Sequence, residues 1–147
     1  MHRFKYSFSC EDIKAKNQNI SCLKHADMGV WQGVAGGGEC DETPIAAAIR
    51  ETREETGVEI SDIVDLKLVA WLSVIDVAGC YRWGKDIRVI PEFAFLADVP
   101  SDVKIKISGE HTGYLWCNSE RALQLLEWDS NRQAIIKAEQ VALSPRI

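Results

Sequence analysis

Residues 36–58 read GGGECDETPIAAAIRETREETGV, and this stretch decides the fold prediction because a glycine run leads directly into a helix with both ends marked. Thr43 is a favoured N-cap residue, and Pro44 suits the first helical position. Gly57 is typical of the residue just past a helix end. The stretch therefore predicts a glycine-rich turn followed by a helix that runs from Pro44 to the residue before Gly57.

The second half of this helix carries three acidic side chains, Glu51, Glu54 and Glu55. At 100° per residue, positions i, i+3 and i+4 lie on one face, so the carboxylates form a single acidic patch. Like charges at this spacing repel, and acids in the last turn oppose the helix dipole. The arrangement is unfavourable on its own and predicts a cationic partner.

Two interpretations of the patch remain open. It is either a solvated acidic face, partly neutralised by Arg50 and Arg53, or a set of oxygen ligands for Mg²⁺ or Mn²⁺. The preceding glycine turn, whose backbone can approach a ligand closely, favours the second and suggests phosphate chemistry. In both cases we expect the helix to bury a neighbouring stripe: Ile45, Ile49, Thr52 and Thr56.

Composition excludes several classes of protein. The chain has 147 residues, 46% of them hydrophobic, with 22 acidic and 17 basic side chains and a net charge of −5, which predicts one globular domain spanning 1–147. The negative charge argues against a nucleic-acid polymer as partner. The apolar stretch at 69–77 is broken by Ser73 and Asp76, so no membrane span is expected. The first residues lack the apolar run of a secretory signal, and we expect a cytoplasmic location.

The five cysteines form no C-x-x-C pair, which argues against a zinc site and favours free thiols. Elsewhere, alternation at 4–8 and a short apolar run at 20–23 predict a hairpin, with the turn at 17–19. Residues rich in β-branched and aromatic side chains predict strands at 63–77, 87–99 and 103–117. Helices are expected from 118 or 119 to 128 and, through a capping box that starts at Ser130, to 142. The order predicts an α/β or α+β fold with helices packed on a mixed sheet.

The helix and its flanks resemble the Nudix box, G-x5-E-x7-R-E-U-x-E-E-x-G-U, where U is aliphatic. Gly36 and Glu42 stand at the first two fixed positions, and residues 50–58, RETREETGV, complete the pattern in register. Thr52 departs from it, because the family usually has an aliphatic residue there. The resemblance implies a Nudix fold, with a mixed sheet sandwiched between helices, and hydrolysis of a nucleoside diphosphate linked to another group X.

The resemblance also implies roles for individual residues. Glu51, Glu54 and Glu55 match the metal-binding glutamates of the family, which hold Mg²⁺ with Mn²⁺ as an alternative, and Arg50 matches the arginine that orients them. Glu42 matches the first glutamate of the box, which supports the loop or lies next to the metal. A backbone carbonyl of the glycine turn also reaches the metal in relatives, and the corresponding residue is Ala35 or Gly36.

Further similarity points to the dihydroneopterin triphosphate/dATP pyrophosphohydrolase branch of the family. It covers 31–34, WQGV, the pair Glu110-His111 followed by Tyr114 and Trp116, and 128–135, WDSNRQAI. In that branch the glutamate before the histidine is implicated as metal ligand or general base, which implies such a role for Glu110, with Glu54 as the other candidate base. An exposed surface acid is the alternative for Glu110, because it lies in a polar turn.

The implied reaction is Mg²⁺-dependent cleavage of a nucleoside triphosphate such as dATP, or of dihydroneopterin triphosphate, to monophosphate and pyrophosphate. A dinucleoside polyphosphate hydrolase and a non-catalytic Nudix-like sensor are alternatives. The partner is then a small-molecule nucleotide, bound by a monomer or homodimer. Aromatic rings and cations suit a base and phosphates, although such rings are often core and Arg132 can instead support a chain reversal. The candidate substrate residues are Trp31, Gly37, Tyr81, Trp83, Lys85 and Arg132.

Overall fold

A computed structural model of the chain describes residues 3–11, 18–39, 41–73, 86–100 and 102–143. Within these ranges seven strands form one mixed sheet. The strands are β1 Arg3–Glu11, β2 Gln18–His25, β3 Trp31–Gln32, β4 Ala35–Gly37, β5 Ile63–Ser73, β6 Val89–Asp98 and β7 His111–Cys117. Their order is β3-β2-β1-β6-β5, with β4 paired to β1 and β7 paired to β2. β1 and β6 run parallel, and the other pairs are antiparallel.

In the same part of the chain the helices are α1 Pro44–Thr56, α2 Ser119–Leu125 and α3 Asp129–Leu143. Both predicted ends of α1 are confirmed. The Thr43 hydroxyl accepts a hydrogen bond from the Ala46 amide at 3.2 Å. Gly57 adopts the left-handed conformation with φ 71°, and its amide donates to the Arg53 carbonyl at 2.9 Å. None of the described helices is long and apolar enough to cross a membrane.

Helices cover both faces of the sheet, which confirms the expected sandwich. Alternate residues of β6 point to opposite sides, as in any strand. Phe95 packs with Ala48 of α1 on one face, while Leu96 packs with Ala134 of α3 on the other. α2 joins α3 on that second face, where its Ala122 packs in a cluster with Ile135.

The expected buried stripe of α1 is confirmed only for Thr52 and Thr56. Ile45 is 40% exposed and Ile49 is half-buried, while the buried residues of the helix are Ala47, Ala48, Thr52, Glu55 and Thr56. The helix is therefore turned so that a carboxylate, Glu55, lies on its buried face and not at the edge. The Thr52 hydroxyl, which replaces the usual aliphatic group, is buried and donates to the Ala48 carbonyl at 2.7 Å.

Several predicted boundaries differ from the structure. The strand expected at 103–117 begins only at His111, because the backbone ahead of it bonds to the end of α1: the Lys106 amide donates to the Thr56 carbonyl at 2.9 Å and the Ser108 amide to the Glu55 carbonyl at 3.1 Å. α2 ends at Leu125, and α3 begins at Asp129, ahead of the predicted cap at Ser130, because the Asn131 and Arg132 amides donate to the Trp128 carbonyl.

The other strand predictions stand with small shifts. The N-terminal hairpin is confirmed, since β1 and β2 pair with Ser9 opposite Ile20. Of the residues predicted for its turn, Gln18 and Asn19 already belong to β2, and Asn17 lies outside the described residues. β5 ends at Ser73 and the rest of the predicted 63–77 strand lies outside the described residues. β6 begins at Val89, two residues later than expected.

Candidate active site

The glycine turn and the acidic helix lie against each other where β4 precedes α1. At Gly36 the backbone passes so close to the Glu51 side chain that a Cβ atom built on Gly36 would overlap the Glu51 carboxyl group. Any larger residue at this position displaces that carboxylate. The close approach of the backbone to the Glu51 side chain therefore explains why residue 36 is a glycine.

Arg50 links the acidic residues to the turn. Its Nε and Nη2 donate to the two oxygens of Glu42, both at 3.0 Å, and Nη2 also donates to the Gly37 carbonyl at 2.8 Å. Its Nη1 donates to Glu51 Oε1 at 2.9 Å and to Glu54 Oε2 at 3.1 Å. The hydrogen bonds from Arg50 hold the pKa of Glu42 below its ordinary value. A single guanidinium thus donates hydrogen bonds to three carboxylates, those of Glu42, Glu51 and Glu54.

Glu55 is the buried member of the acidic set, with 3% of its surface exposed. Burial first, and then the neighbouring charges of Glu51 and Glu110, raise its pKa to about 9. The opposing contribution is a hydrogen bond from the Ala35 amide to Oε2 at 3.4 Å, which is long. In the absence of a cation this carboxyl group holds a proton at neutral pH.

The remaining acidic residues complete a cluster. Burial raises the pKa of Glu51 although Arg50 opposes the shift, whereas the Glu54 side chain is 57% exposed. Glu110, exposed in the turn before β7, lies close enough to raise the pKa of both Glu51 and Glu55. Four carboxyl groups therefore lie close enough to interact, three from α1 and one from the turn before β7.

The chemistry of this donor set fits a hard divalent cation. Carboxylate oxygens are the ligands that Mg²⁺ and Mn²⁺ prefer, and carboxyl groups that lie this close to one another gain from a bound cation. In the described conformation Arg50 lies between Glu51 and Glu54 as their shared positive charge. No three acidic, imidazole or thiolate groups in the described ranges converge on one point as placed.

The structure describes three of the six predicted substrate residues, Trp31, Gly37 and Arg132. Trp31 is half-buried, and the Lys24 Nζ lies 6.0 Å from its ring centroid. Arg132 Nη1 donates to the Leu126 and Glu127 carbonyls at 2.6 and 3.1 Å, which is the chain-reversal support considered as its alternative. The Gly37 carbonyl is bonded to Arg50. The candidates Tyr81, Trp83 and Lys85 lie outside the described residues.

Two residues near the site were missed by reasoning from the sequence. The His111 side chain is 1% exposed, with its Nε2 3.9 Å from Glu55 Oε2. Its position directly after Glu110 was the available signal, but its spacing matched no ligand motif. Asn131 of α3 is buried, and its Oδ1 accepts a hydrogen bond from the Gly33 amide at 3.1 Å, which anchors the start of the glycine turn. A contact between distant segments leaves no local pattern.

The comparisons with known proteins agree with this geometry. The family described as NUDIX domain matches residues 13–138. A Haemophilus influenzae dihydroneopterin triphosphate diphosphatase is 28% identical over 84% of this chain and 80% of its own length. A Rattus norvegicus asymmetrical bis(5'-nucleosyl)-tetraphosphatase is 28% identical over 89% of this chain and 86% of its own.

Two other comparisons concern the length of a relative and the fold of a solved structure. A Myxococcus xanthus protein named octanoyltransferase is 30% identical over 75% of this chain, but the chain spans only 29% of its length. The solved structure of the Escherichia coli dihydroneopterin triphosphate pyrophosphohydrolase superposes with a TM-score of 0.76 at 25% identity, covering 90% of both chains. With the sandwich fold and the family match over most of its length, the chain belongs to the Nudix family of hydrolases, enzymes that act on phosphoric anhydride bonds.

Proposed function

We propose that this protein is a Mg²⁺-dependent pyrophosphohydrolase that cleaves a nucleoside triphosphate such as dATP, or dihydroneopterin triphosphate, to monophosphate and pyrophosphate. The observation that carries the proposal is the cluster of Glu51, Glu54, Glu55 and Glu110, one of them buried with a pKa of about 9. Such a cluster is costly without a cation, and a triphosphate chain is a substrate that brings negative charge to a bound metal.

In this proposal Glu51, Glu54 and Glu55 hold the ion, and a carbonyl of Ala35 or Gly36 completes the protein ligands. When bound, Mg²⁺ supplies charge neutralisation for the phosphates and activation of water. Mn²⁺ has similar ligand preferences and is expected to substitute. Arg50 keeps the carboxylates aligned through its contacts with Glu51 and Glu54 at 2.9 and 3.1 Å.

A carboxylate must take the proton of the attacking water, whose oxygen ends on phosphorus while the phosphoanhydride bond breaks. Glu54 and Glu110 are the candidates. Glu54 Oε2 is held by Arg50, whereas Glu110 is exposed in the turn that faces the helix glutamates. This difference favours Glu110 as the base, and Glu110→Gln is expected to lower kcat while Mg²⁺ still binds.

Cleavage of a dinucleoside polyphosphate is the second candidate. It is supported by the rat asymmetrical bis(5'-nucleosyl)-tetraphosphatase, which matches 89% of this chain at the same 28% identity as the Haemophilus diphosphatase. Both substrate classes present bridged phosphates to the same carboxylates. The residues that contact the base or pterin must therefore discriminate between them, and Trp31 is the described aromatic candidate.

A product assay with Mg²⁺ tests both candidates. dATP, other nucleoside triphosphates, dihydroneopterin triphosphate and dinucleoside polyphosphates are incubated with enzyme, and products are separated by chromatography. Pyrophosphate plus a monophosphate supports the first proposal, and turnover confined to dinucleotides supports the second. The Glu54→Gln/Glu55→Gln double variant should lose activity, while Glu59→Gln, which changes an exposed glutamate paired with Arg53, should retain it. No turnover with Mg²⁺ bound would favour a ligand sensor.

A further inference from the structure

The inference concerns the buried imidazole beside Glu55. The His111 side chain is 1% exposed, and neither of its ring nitrogens has a hydrogen-bond partner among the described residues. A buried polar atom left unpaired costs about 1–3 kcal/mol, so such a group in a folded core needs an explanation. The Glu55 Oε2 atom lies 3.9 Å from Nε2 of His111.

The backbone fixes His111 and Glu55 relative to each other. The Ser108 amide donates to the Glu55 carbonyl at 3.1 Å, and the His111 amide donates to the Ser108 carbonyl at 3.2 Å. Two successive hydrogen bonds therefore connect the last turn of α1 to the first residue of β7. These backbone hydrogen bonds keep the His111 imidazole close to the Glu55 carboxyl group.

A second histidine constrains the ring itself. The His25 ring packs edge-on against the His111 ring, with centroids 5.9 Å apart and planes 77° from parallel. His25 is in turn held because its Nδ1 accepts from the amides of Asp27 and Met28 at 3.2 and 3.4 Å. The His111 ring thus has a packed neighbour on one side and the Glu55 carboxyl group on another.

Glu55 has a matching need for a donor. It is 3% exposed, and the amide of Ala35 reaches it at 3.4 Å, a long hydrogen bond. An imidazole carries at least one N–H in either protonation state. A small rotation of the Glu55 side chain would shorten the 3.9 Å separation to hydrogen-bond length, which would give Nε2 a partner and Glu55 a second donor.

We propose that His111 is a positioning residue whose Nε2–H orients the Glu55 carboxylate for metal binding. The inference rests on the proposed function, because it assumes that Glu55 is a metal ligand. Groups that hydrogen-bond a ligating side chain commonly change metal affinity or activity by about 10–100-fold when they are removed. His111 acts through Glu55 and needs no contact with substrate.

The test compares His111→Phe, which keeps an aromatic ring but has no donor, with His111→Gln, whose amide can still donate. Mn²⁺ alone is titrated into each metal-free protein by calorimetry, and the melting temperature is measured without metal. We expect Mn²⁺ to bind His111→Phe about 10–100-fold more weakly than wild type, and His111→Gln within a few-fold of it. kcat with Mg²⁺ should fall in His111→Phe with little change in KM for the substrate.

The outcomes separate the inference from the function on which it depends. If His111→Phe binds Mn²⁺ as wild type does, the positioning role is overturned while the metal site stands. A wild-type protein that binds no Mn²⁺ overturns both. Should His111→Phe fail to fold, His111→Asn replaces it, because its shorter side chain keeps a donor that cannot reach Glu55; wild-type affinity in His111→Asn would then refute the inference.

Discussion

The Arg50 guanidinium donates two parallel hydrogen bonds to the Glu42 carboxylate, from Nε to Oε1 and from Nη2 to Oε2, each at 3.0 Å. This fork geometry fixes the plane of the guanidinium group. Its remaining nitrogen, Nη1, then faces Glu51 and Glu54. Glu42 therefore aligns the arginine that in turn contacts Glu51 and Glu54, two of the glutamates that we propose to bind the metal.

Arg50→Lys should impair the enzyme although it keeps the charge, because an ammonium group cannot form the paired bonds to Glu42 and still reach Glu51. We expect kcat/KM to fall about 10–100-fold, in line with losses of groups that orient metal ligands. Steady-state kinetics with Mg²⁺ measure the effect. Arg53→Lys is the matched control, since the side chain of Arg53 is 69% exposed and pairs with an exposed glutamate. Equal activities of the Arg50→Lys and Arg53→Lys variants would contradict the proposed role of Arg50 in aligning the glutamates.

Gly36→Ala should weaken metal binding through a steric effect. The added Cβ occupies the position of the Glu51 carboxyl group, which must rotate away from the site. We expect a clear rise in the Kd for Mn²⁺ and a lower kcat, with a far smaller effect of Gly109→Ala, where a Cβ meets no atom within 4 Å. Calorimetry and kinetics on both variants test this. Unchanged Mn²⁺ affinity in Gly36→Ala would show that the Glu51 carboxylate is not required where it lies.

Glu55 should make the metal-free protein progressively less stable as pH rises from the unfolded to the folded pKa of its carboxyl group. Its folded-state pKa of about 9 lies above the ordinary value of 4.5. Between these values the folded state holds a proton that the unfolded state has lost, so this contribution to stability is present below the unfolded pKa and is lost as pH rises through the folded one. Glu55→Gln removes the titrating group. Melting temperatures without metal should therefore fall more in wild type than in Glu55→Gln as pH rises from about 5 to about 8.

Mg²⁺ should counteract this loss of stability at higher pH in the wild type. Metal binding requires the deprotonated carboxylate and therefore becomes stronger as pH rises. The stabilisation by a fixed Mg²⁺ concentration is thus expected to be larger at pH 8 than at pH 5. A pH-independent stabilisation would indicate that Mg²⁺ does not engage a carboxyl group with a raised pKa. Glu59→Gln, a change at an exposed site, should follow wild type throughout.

Thr52→Val should leave activity unchanged and stabilise the fold slightly. The Thr52 hydroxyl is buried and bonds only within its own helix, to the Ala48 carbonyl, so its removal frees no distant partner. Bonds of this type slightly destabilise helices. We expect the free energy of unfolding to rise by at most about 1 kcal/mol, as measured by chemical denaturation. A substantial loss of stability would show that the hydroxyl is needed at this position.

Much of the fold was predictable because the signals are local. The two ends of α1 follow from Thr43, Pro44 and Gly57, each of which acts on backbone groups within a few residues. The strand that begins at His111 was predicted too long because its true start depends on contacts with a distant part of the chain. Residues 103–108 have the composition of a strand, but the amides of Lys106 and Ser108 bond to the end of α1, and no propensity encodes a distant partner.

The candidate site divides in the same way. Helical periodicity alone places Glu51, Glu54 and Glu55 on one face, and the spacing from Gly36 identifies the family pattern. Which of those carboxylates is buried was beyond the sequence, and the expectation of a buried Ile45 was wrong. Glu55 faces inward because the small residues Ala48 and Thr52 let that side of α1 approach the sheet.

The sequence by itself determined the helix, its caps, the acidic face and the family, because these depend on neighbours along the chain. Only the tertiary structure decided that Glu110 and His111 meet Glu55 and that burial raises the pKa of Glu55. The physical reason is that desolvation and charge repulsion depend on which groups lie close together in space. Here that proximity follows from the backbone hydrogen bond between Ser108 and Glu55 and from packing on the sheet, and not from the spacing of residues in the chain.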